Sequence, residues 1–221
     1  MEDLKPLSIL PMMSAQDLIA LVRAARMYQD SLWIAESETA MAWLLMVSAI
    51  ECAANRWDQR AGTTLDRFQS SKPELASVIR ARCPDLLEYI ADELADSMGA
   101  TRKFVEFLLH FLPDGPAKRP PEAFQVPWTG EGLKPLIKKI YDYRSKALHS
   151  GIPFPAPICD PPQSYADSQV PAERPFALAP GALGGVWLAK DLPMYLHLFE
   201  YLARGALLNW WQGFETQKDK I

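Results

Sequence analysis

Proline is distributed very unevenly along this chain. Fifteen of its 19 prolines lie between Pro113 and Pro193, which leaves four in the rest of the sequence. A proline inside a helix removes a backbone hydrogen bond and clashes with the preceding turn. The distribution therefore predicts that helices dominate the flanks and that much of the proline-rich interval forms loops.

Hydrophobic periodicity and capping signals define the predicted elements. Core helices are expected at about residues 37–58, 131–150 and 191–214, and an earlier helix should begin after Ser14. Residues 152–185 contain eight prolines and predict a long, irregular, proline-rich insertion. That insertion has room for one short β-hairpin, with residues 176–178 against 186–188. The predicted fold class is all-α, a helical bundle in a single domain that spans residues 1–221.

The composition is that of an ordinary globular protein. The 221 residues are 49% hydrophobic and carry a formal net charge of -4. An acidic chain disfavours broad electrostatic adhesion to nucleic acid, so any such contact needs a local basic patch. The three cysteines, Cys52, Cys83 and Cys159, are odd in number and lack CxxC spacing. They therefore indicate neither a disulfide framework nor a zinc cluster.

The first residues and the apolar runs bear on location. The opening stretch, MEDLKPLSILPMM, carries acidic residues where a signal peptide has a basic region. The uncharged apolar run at residues 40–50 is much shorter than the roughly 20 residues that span a bilayer. The sequence therefore predicts a cytoplasmic protein without a membrane segment.

Two charged residues occupy apolar helix faces. At 100° per residue, Arg144 lies within about 60° of Leu133, Ile137 and Leu148. Glu51 is the only charged residue between positions 40 and 54 of the preceding core helix. Because an unpaired buried charge is very unfavourable, Glu51 and Arg144 are predicted to meet. From the helical wheels alone, this contact is either a structural ion pair or part of a functional site.

His149 follows Arg144 by five residues, which places it about 140° away on a regular helix. The two side chains share a face only if the helix end unwinds or a second subunit contributes. Alternatively, a histidine in the last turn simply favours the negative end of the helix dipole. No HxH, HExxH, GxSxG or Walker-type motif occurs, so no metal site and no cofactor are predicted.

The segment IYDYRSKALHSG, residues 140–151, resembles the signature helix of the HEPN superfamily, and especially of its Apea-like branch. Arg144 and His149 match the family's Arg-x4-His motif, and Ser145 matches the small polar residue that commonly follows the arginine. The segment MAWLLMVSAIECAANRW, residues 41–57, resembles the family's other recurring helix, which carries one acidic residue, here Glu51. Ser150 departs from the family, in which a glycine often follows the histidine directly.

The resemblance implies a bundle that forms a homodimer, with the Arg-x4-His helices of two subunits facing each other across a cleft. Many members of the family are metal-independent endoribonucleases of toxin–antitoxin, defence or RNA-processing systems. For this chain the resemblance implies a hydrolase-type RNase in which Arg144 binds phosphate and His149 transfers protons while the RNA's own 2′-OH attacks. Both side chains suit those tasks chemically. The residues expected to orient them or to bind substrate are Glu51, Ser145, Asn55 and Ser48.

Two other functions stay open at this point. The first is a non-catalytic module that binds RNA or a nucleotide. The second is a dimeric interaction protein, which holds a partner protein such as an antitoxin and in which Glu51 and Arg144 form a structural ion pair.

Overall fold

The computed structural model describes residues 2–57, 63–94, 99–164, 170–176, 179–182 and 184–216. Their regular structure is almost entirely helical, which confirms the all-α class. The helices are α1 (Ala15–Ile34), α2 (Thr39–Trp57), α3 (Thr64–Ser71), α4 (Pro73–Arg82), α5 (Leu87–Leu94), α6 (Ala100–His110), α7 (Gly130–Ser150), α8 (Ala156–Cys159) and α9 (Leu196–Thr216). Short 3₁₀ segments lie at Glu2–Met12, Pro84–Leu86, Glu122–Phe124 and Ala189–Asp191.

Two of the three predicted core helices have nearly the expected bounds. Helix α2 falls inside the predicted range 37–58, whose last residue, Asp58, lies outside the described residues. Helix α7 begins where the Thr129 hydroxyl accepts a hydrogen bond from the Gly132 N–H. It ends at Gly151, whose φ of 64° is a left-handed conformation that glycine adopts without strain.

The predicted start of the terminal helix is wrong. Helix α9 begins at Leu196, five residues after the expected Asp191. Leu192 instead has an extended backbone, with φ −107° and ψ 104°. The ring of Pro193 causes this, because a proline disfavours helical geometry at the residue before it.

A short hairpin is present in the insertion, but its strands differ from the predicted ones. Strands β1 (Gly181–Ala182) and β2 (Gly185–Val186) are antiparallel, and Gly181 pairs with Val186. Phe176 lies in no strand, and residues 177–178 of the predicted pairing lie outside the described residues. Gly184 has a φ of 78°, which permits a tight turn between the two strands. The paired residues therefore lie nearer to this turn than the predicted strands do.

Helix α2 lies at the centre of the molecule. Helices α1, α6, α7 and α9 all pack against it, and Trp43, Met46 and Ile50 are at most 1% exposed. The Trp43 ring stacks on Phe154 at 5.5 Å and on Phe199 at 5.0 Å. The core therefore includes side chains from the proline-rich insertion as well as from α9.

A buried ion pair that the sequence analysis did not predict holds the insertion in place. The Glu173 carboxylate accepts hydrogen bonds from Arg119 Nε at 2.7 Å, from Arg119 Nη2 at 2.6 Å and from the Val126 N–H at 2.6 Å. The Glu173 carbonyl accepts a hydrogen bond from the Tyr195 N–H at 2.9 Å. The described part of residues 152–185 is irregular, as predicted, yet it is tied to the core on two sides.

Helices α3, α4 and α5 pack mainly on one another. Phe68, Ala76, Leu87 and Ala91 form a small hydrophobic core of their own there. The remaining clustered core residues of the described chain form one larger core around α2. No helix within the described ranges has the length and apolarity needed to cross a membrane.

Candidate functional site

Glu51 of α2 binds two side chains of α7. One of its carboxylate oxygens accepts a hydrogen bond from Arg144 Nη2, and the other accepts one from the Tyr141 hydroxyl at 2.8 Å. The predicted contact between Glu51 and Arg144 therefore exists within one chain. The Arg144 guanidinium also lies 5.6 Å from the centroid of the Tyr141 ring, a cation–π distance. We call these three residues the Glu51 cluster.

The two helices of the cluster run antiparallel. Glu51 contacts Tyr141 and Arg144 in the second half of α7. Trp43, two turns earlier in α2, stacks on Phe154, which follows the end of α7. The start of α2 therefore lies near the end of α7, as in an antiparallel pair.

The Glu51 cluster is partly shielded from solvent. The Glu51 side chain is 16% exposed and that of Arg144 is 17% exposed. Burial, together with the hydrogen bond to Glu51, raises the pKa of Tyr141 well above its usual value, so the phenol stays protonated and keeps donating. Arg144 Nε is buried and has no hydrogen-bond partner among the described residues. The arginine is fixed in place, but its donors are not all used.

His149 lies on a different face of α7. The helix remains regular through Ser150, so the expected angle of about 140° between His149 and Arg144 holds and the helix end does not unwind. The His149 side chain is exposed. Within one chain, His149 therefore does not join the Glu51 cluster, and a shared cleft would need a second copy of the chain.

The polar residues predicted on α2 extend the site along that helix. Ser48 is half-buried, and Asn55 is exposed, one turn from Glu51 in each direction. The Asn55 side-chain oxygen accepts a hydrogen bond from Lys103 Nζ of α6 at 3.3 Å. Ser145 of α7 is half-buried, next to Arg144. Neither serine is joined to the Glu51 cluster by a hydrogen bond.

An exposed stripe of α7 lies on a different face of the helix from Arg144, about 80–140° away. At 100° per residue, Lys134, Lys138, Ser145 and His149 fall within about 60° of one another on the helix surface. Both lysines and the histidine are exposed, and Ser145 is half-buried. We call these four residues the α7 stripe; it spans residues 134–149, and about 22 Å of helix separates its ends. The exposed carboxylates of Glu131 and Asp142 lie within about 60° of Lys138 and His149 on the same face, so the stripe and its surroundings carry mixed charge.

Apolar side chains flank the C-terminal end of the α7 stripe. Leu148 is 51% exposed and Ile152 is 53% exposed. Leu148 belongs to the predicted apolar face of α7, whereas Leu133 and Ile137 on the same face are fully buried. The apolar face of α7 is therefore covered by this chain at one end and open to solvent at the other.

Tyr141 and Lys103 contribute to the site but were not among the predicted residues. The signal for Tyr141 is its spacing, since a residue three positions before Arg144 lies beside it on a helix surface. Lys103 carries no comparable signal, because its contact with Asn55 depends on how α6 packs against α2.

Within the described ranges, no group of three or more His, Cys, Asp or Glu side chains is arranged to hold a metal ion. Comparisons with protein-family models, with curated proteins and with solved structures return no match for this chain, so the HEPN resemblance rests on its own residues alone.

Proposed function

We propose that this protein is a HEPN-like, metal-independent endoribonuclease that acts as a homodimer. The observation that carries the proposal is the exposed α7 stripe, on the same helix as the fixed guanidinium of Arg144 but on a different face. Exposed Lys134 and Lys138 supply charges for a phosphodiester backbone, and the exposed His149 supplies a proton-transfer group.

The roles of the site residues follow from their placement. Glu51 and Tyr141 hold Arg144, which is expected to stabilise negative charge on the phosphorane. The RNA 2′-OH attacks the adjacent phosphorus while one His149 accepts its proton. The bond to the 5′-oxygen breaks as the His149 of the second copy donates a proton to it. The products are a 2′,3′-cyclic phosphate and a free 5′-OH.

The dimer is needed because one chain keeps Arg144 and His149 on different faces. The exposed Leu148 and Ile152 beside His149 offer apolar surface for a second copy. Light scattering should give the mass of a dimer, and Leu148→Arg should reduce both that mass and the specific activity. A monomer with full activity would contradict the shared cleft.

The cleavage test uses purified protein with single-stranded and structured RNA in excess EDTA. We expect a 2′,3′-cyclic phosphate product and a rate that falls on the order of 10²–10⁴-fold in His149→Ala. The matched control is His110→Ala, because His110 is also an exposed histidine at a helix end. Loss of activity in EDTA, or equal rates for His149→Ala and the wild type, would rule the mechanism out.

A second candidate is the non-catalytic interaction or RNA-binding module. This candidate is favoured by the hydrogen bonds within the Glu51 cluster, because Glu51 already binds Arg144 and Tyr141. It predicts a dimer without cleavage. Salt-dependent RNA binding that weakens in Lys134→Gln and Lys138→Gln would identify the RNA-binding form, and no RNA binding would identify the form that engages proteins only.

A further inference from the structure

A groove of about 720 Å³ lies between the end of α1, the first half of α2 and the start of α9. Residues of the insertion, among them Asp160, close one side of it. The volume is in the range of small-molecule sites, about 300–1,000 Å³. Met46 of α2 lines this groove and lies about 140° from Glu51 on the helix, so the groove and the Glu51 cluster occupy different faces of α2. We call it the α1–α9 groove.

The charges that line the α1–α9 groove are all acidic. Glu36, Asp160 and Glu200 contribute side chains, and no Lys or Arg is among the described lining residues. Glu200 is already bound, since it accepts hydrogen bonds from the Tyr28 hydroxyl and from Arg204 Nε. Glu36 and Asp160 form no ion pair with the described part of the chain. Their negative charge is therefore available to a ligand.

The rest of the lining combines apolar surface with one polar ring. Leu32, Met46 and Leu196 provide the apolar part. His197 also lines the groove, and its Nδ1 atom is buried without a hydrogen-bond partner in the described residues. Burial lowers the pKa of His197, which keeps the imidazole neutral and leaves one ring nitrogen able to accept a hydrogen bond.

We propose that the α1–α9 groove binds an amphipathic organic cation. Its ammonium group lies against Asp160 and Glu36, and its apolar body covers Leu32 and Leu196. A neutral ligand would leave the two carboxylates without a counter-charge, and an anionic ligand would be repelled by them.

Isothermal titration calorimetry near neutral pH tests this with matched probes. Tryptamine and hexylamine carry the ammonium on an aromatic and on an alkyl body, and their neutral counterparts are tryptophol and hexanol. We expect each amine to bind at least about 10-fold more tightly than its alcohol. The tighter of the two amines identifies whether the natural ligand has an aromatic or an alkyl body.

Substitutions locate the binding. Asp160→Asn and Glu36→Gln should each weaken amine binding by about 3- to 10-fold. Glu38→Gln, which removes an exposed carboxylate that does not line the groove, should leave it unchanged. Ala35→Leu, which narrows the groove, should weaken both amines, and circular dichroism melts confirm that each variant folds.

Three results would overturn the proposal. One is equal binding of the amines and the alcohols, which would mean an apolar pocket without charge selectivity. Another is unchanged amine binding in the Asp160→Asn and Glu36→Gln variants. The third is the absence of amine binding up to about 1 mM ligand.

Discussion

Glu51 joins α2 to α7 because its two carboxylate oxygens accept from two different residues of α7. Arg144 and Tyr141 thus both donate to one side chain. A partly exposed ion pair contributes less than a fully buried one, because water solvates both charges when the pair is broken. The cluster's contribution to stability should therefore lie between those of a surface pair and a buried pair.

Glu51→Ala is predicted to lower the free energy of unfolding by about 2–4 kcal/mol, because Arg144 is left half-buried without its anion. Tyr141→Phe, which removes one hydrogen bond, should cost about 1 kcal/mol. Urea unfolding measures both. The double variant Glu51→Ala/Arg144→Met should recover part of the loss, since it removes the unpaired charge. The pairing would be contradicted if the double variant lost as much free energy of unfolding as Glu51→Ala and Arg144→Met lose when their separate losses are added.

His197 is predicted to make folding stability depend on pH. Burial lowers its pKa below the ordinary value of 6.5, although Glu173 and Glu200 oppose the shift. Below pH 6.5 the histidine therefore binds a proton more readily in the unfolded chain than in the folded one. The free energy of unfolding decreases as the pH is lowered, until the pH lies below the pKa of the folded state. In urea melts between pH 7 and pH 5, His197→Gln should flatten this slope, whereas His110→Gln should not. Equal slopes in the wild type and His197→Gln would refute the prediction.

At the scale of the elements, Gly205 sets how closely α9 approaches the loop after α6. A Cβ atom at this position would lie 2.5 Å from Pro113 Cγ, far inside contact distance. At Gly213 on the same helix, the nearest atom to such a Cβ is Phe111 Cε1 at 3.9 Å, an ordinary contact. Close packing therefore requires a glycine at position 205, whereas position 213 has room for a Cβ atom.

Gly205→Ala is predicted to destabilise the protein by about 1–3 kcal/mol, because the helix or the Pro113 loop must shift. Gly213→Ala should instead stabilise it by about 0.5–1 kcal/mol, since alanine favours the helical state and meets no obstacle. Thermal melts of the two variants give the comparison. If Gly205→Ala also stabilised the protein, α9 and the loop would have to adjust freely, which would contradict the close contact.

The sequence predicted elements well wherever the boundary signals were local. Gly151 ends α7 through its own backbone conformation, so that end of the helix could be found from the sequence. The apolar pattern predicts a start of α9 at about residue 191, which is too early because Pro193 keeps Leu192 out of helical geometry. The strands β1 and β2 are two residues long and too short for any alternation to show.

At the scale of the whole molecule, Glu173 connects three distant parts of the chain. It binds Arg119 and Val126 through its carboxylate and Tyr195 through its carbonyl. The insertion that carries Glu173 is irregular in its backbone and is nevertheless part of the folded core. We therefore expect it to unfold together with the bundle.

Glu173→Gln is predicted to cost about 3–5 kcal/mol, because the Glu173 side chain is 3% exposed and Arg119 loses a buried partner. Hydrogen exchange should then show faster exchange at residues 170–176 and at the Val126 amide. Asp191→Asn, which breaks a solvent-exposed pair with Lys139, should cost less than about 1 kcal/mol. Similar costs for the two variants would mean that the insertion is not tied to the core.

Contacts of long sequence separation are the part that the sequence could not supply. Glu51 and Arg144 were paired in advance because each was the conspicuous charge on an apolar helix face. Arg119 and Glu173 lie in loops, where no periodicity marks a residue as buried. The α1–α9 groove was equally hidden, because it exists only where α1, α2, α9 and the insertion meet.

The central position of α2 also affects how the protein is made. Helix α2 needs α9 to cover it, as the stacking of Trp43 on Phe199 shows, and on the order of 140 residues separate the two helices along the chain. At about 5–20 residues per second, a ribosome needs roughly 7–28 s to add that length. During this interval the most apolar helix of the nascent chain lacks its last partner, which makes it a natural segment for a chaperone to hold.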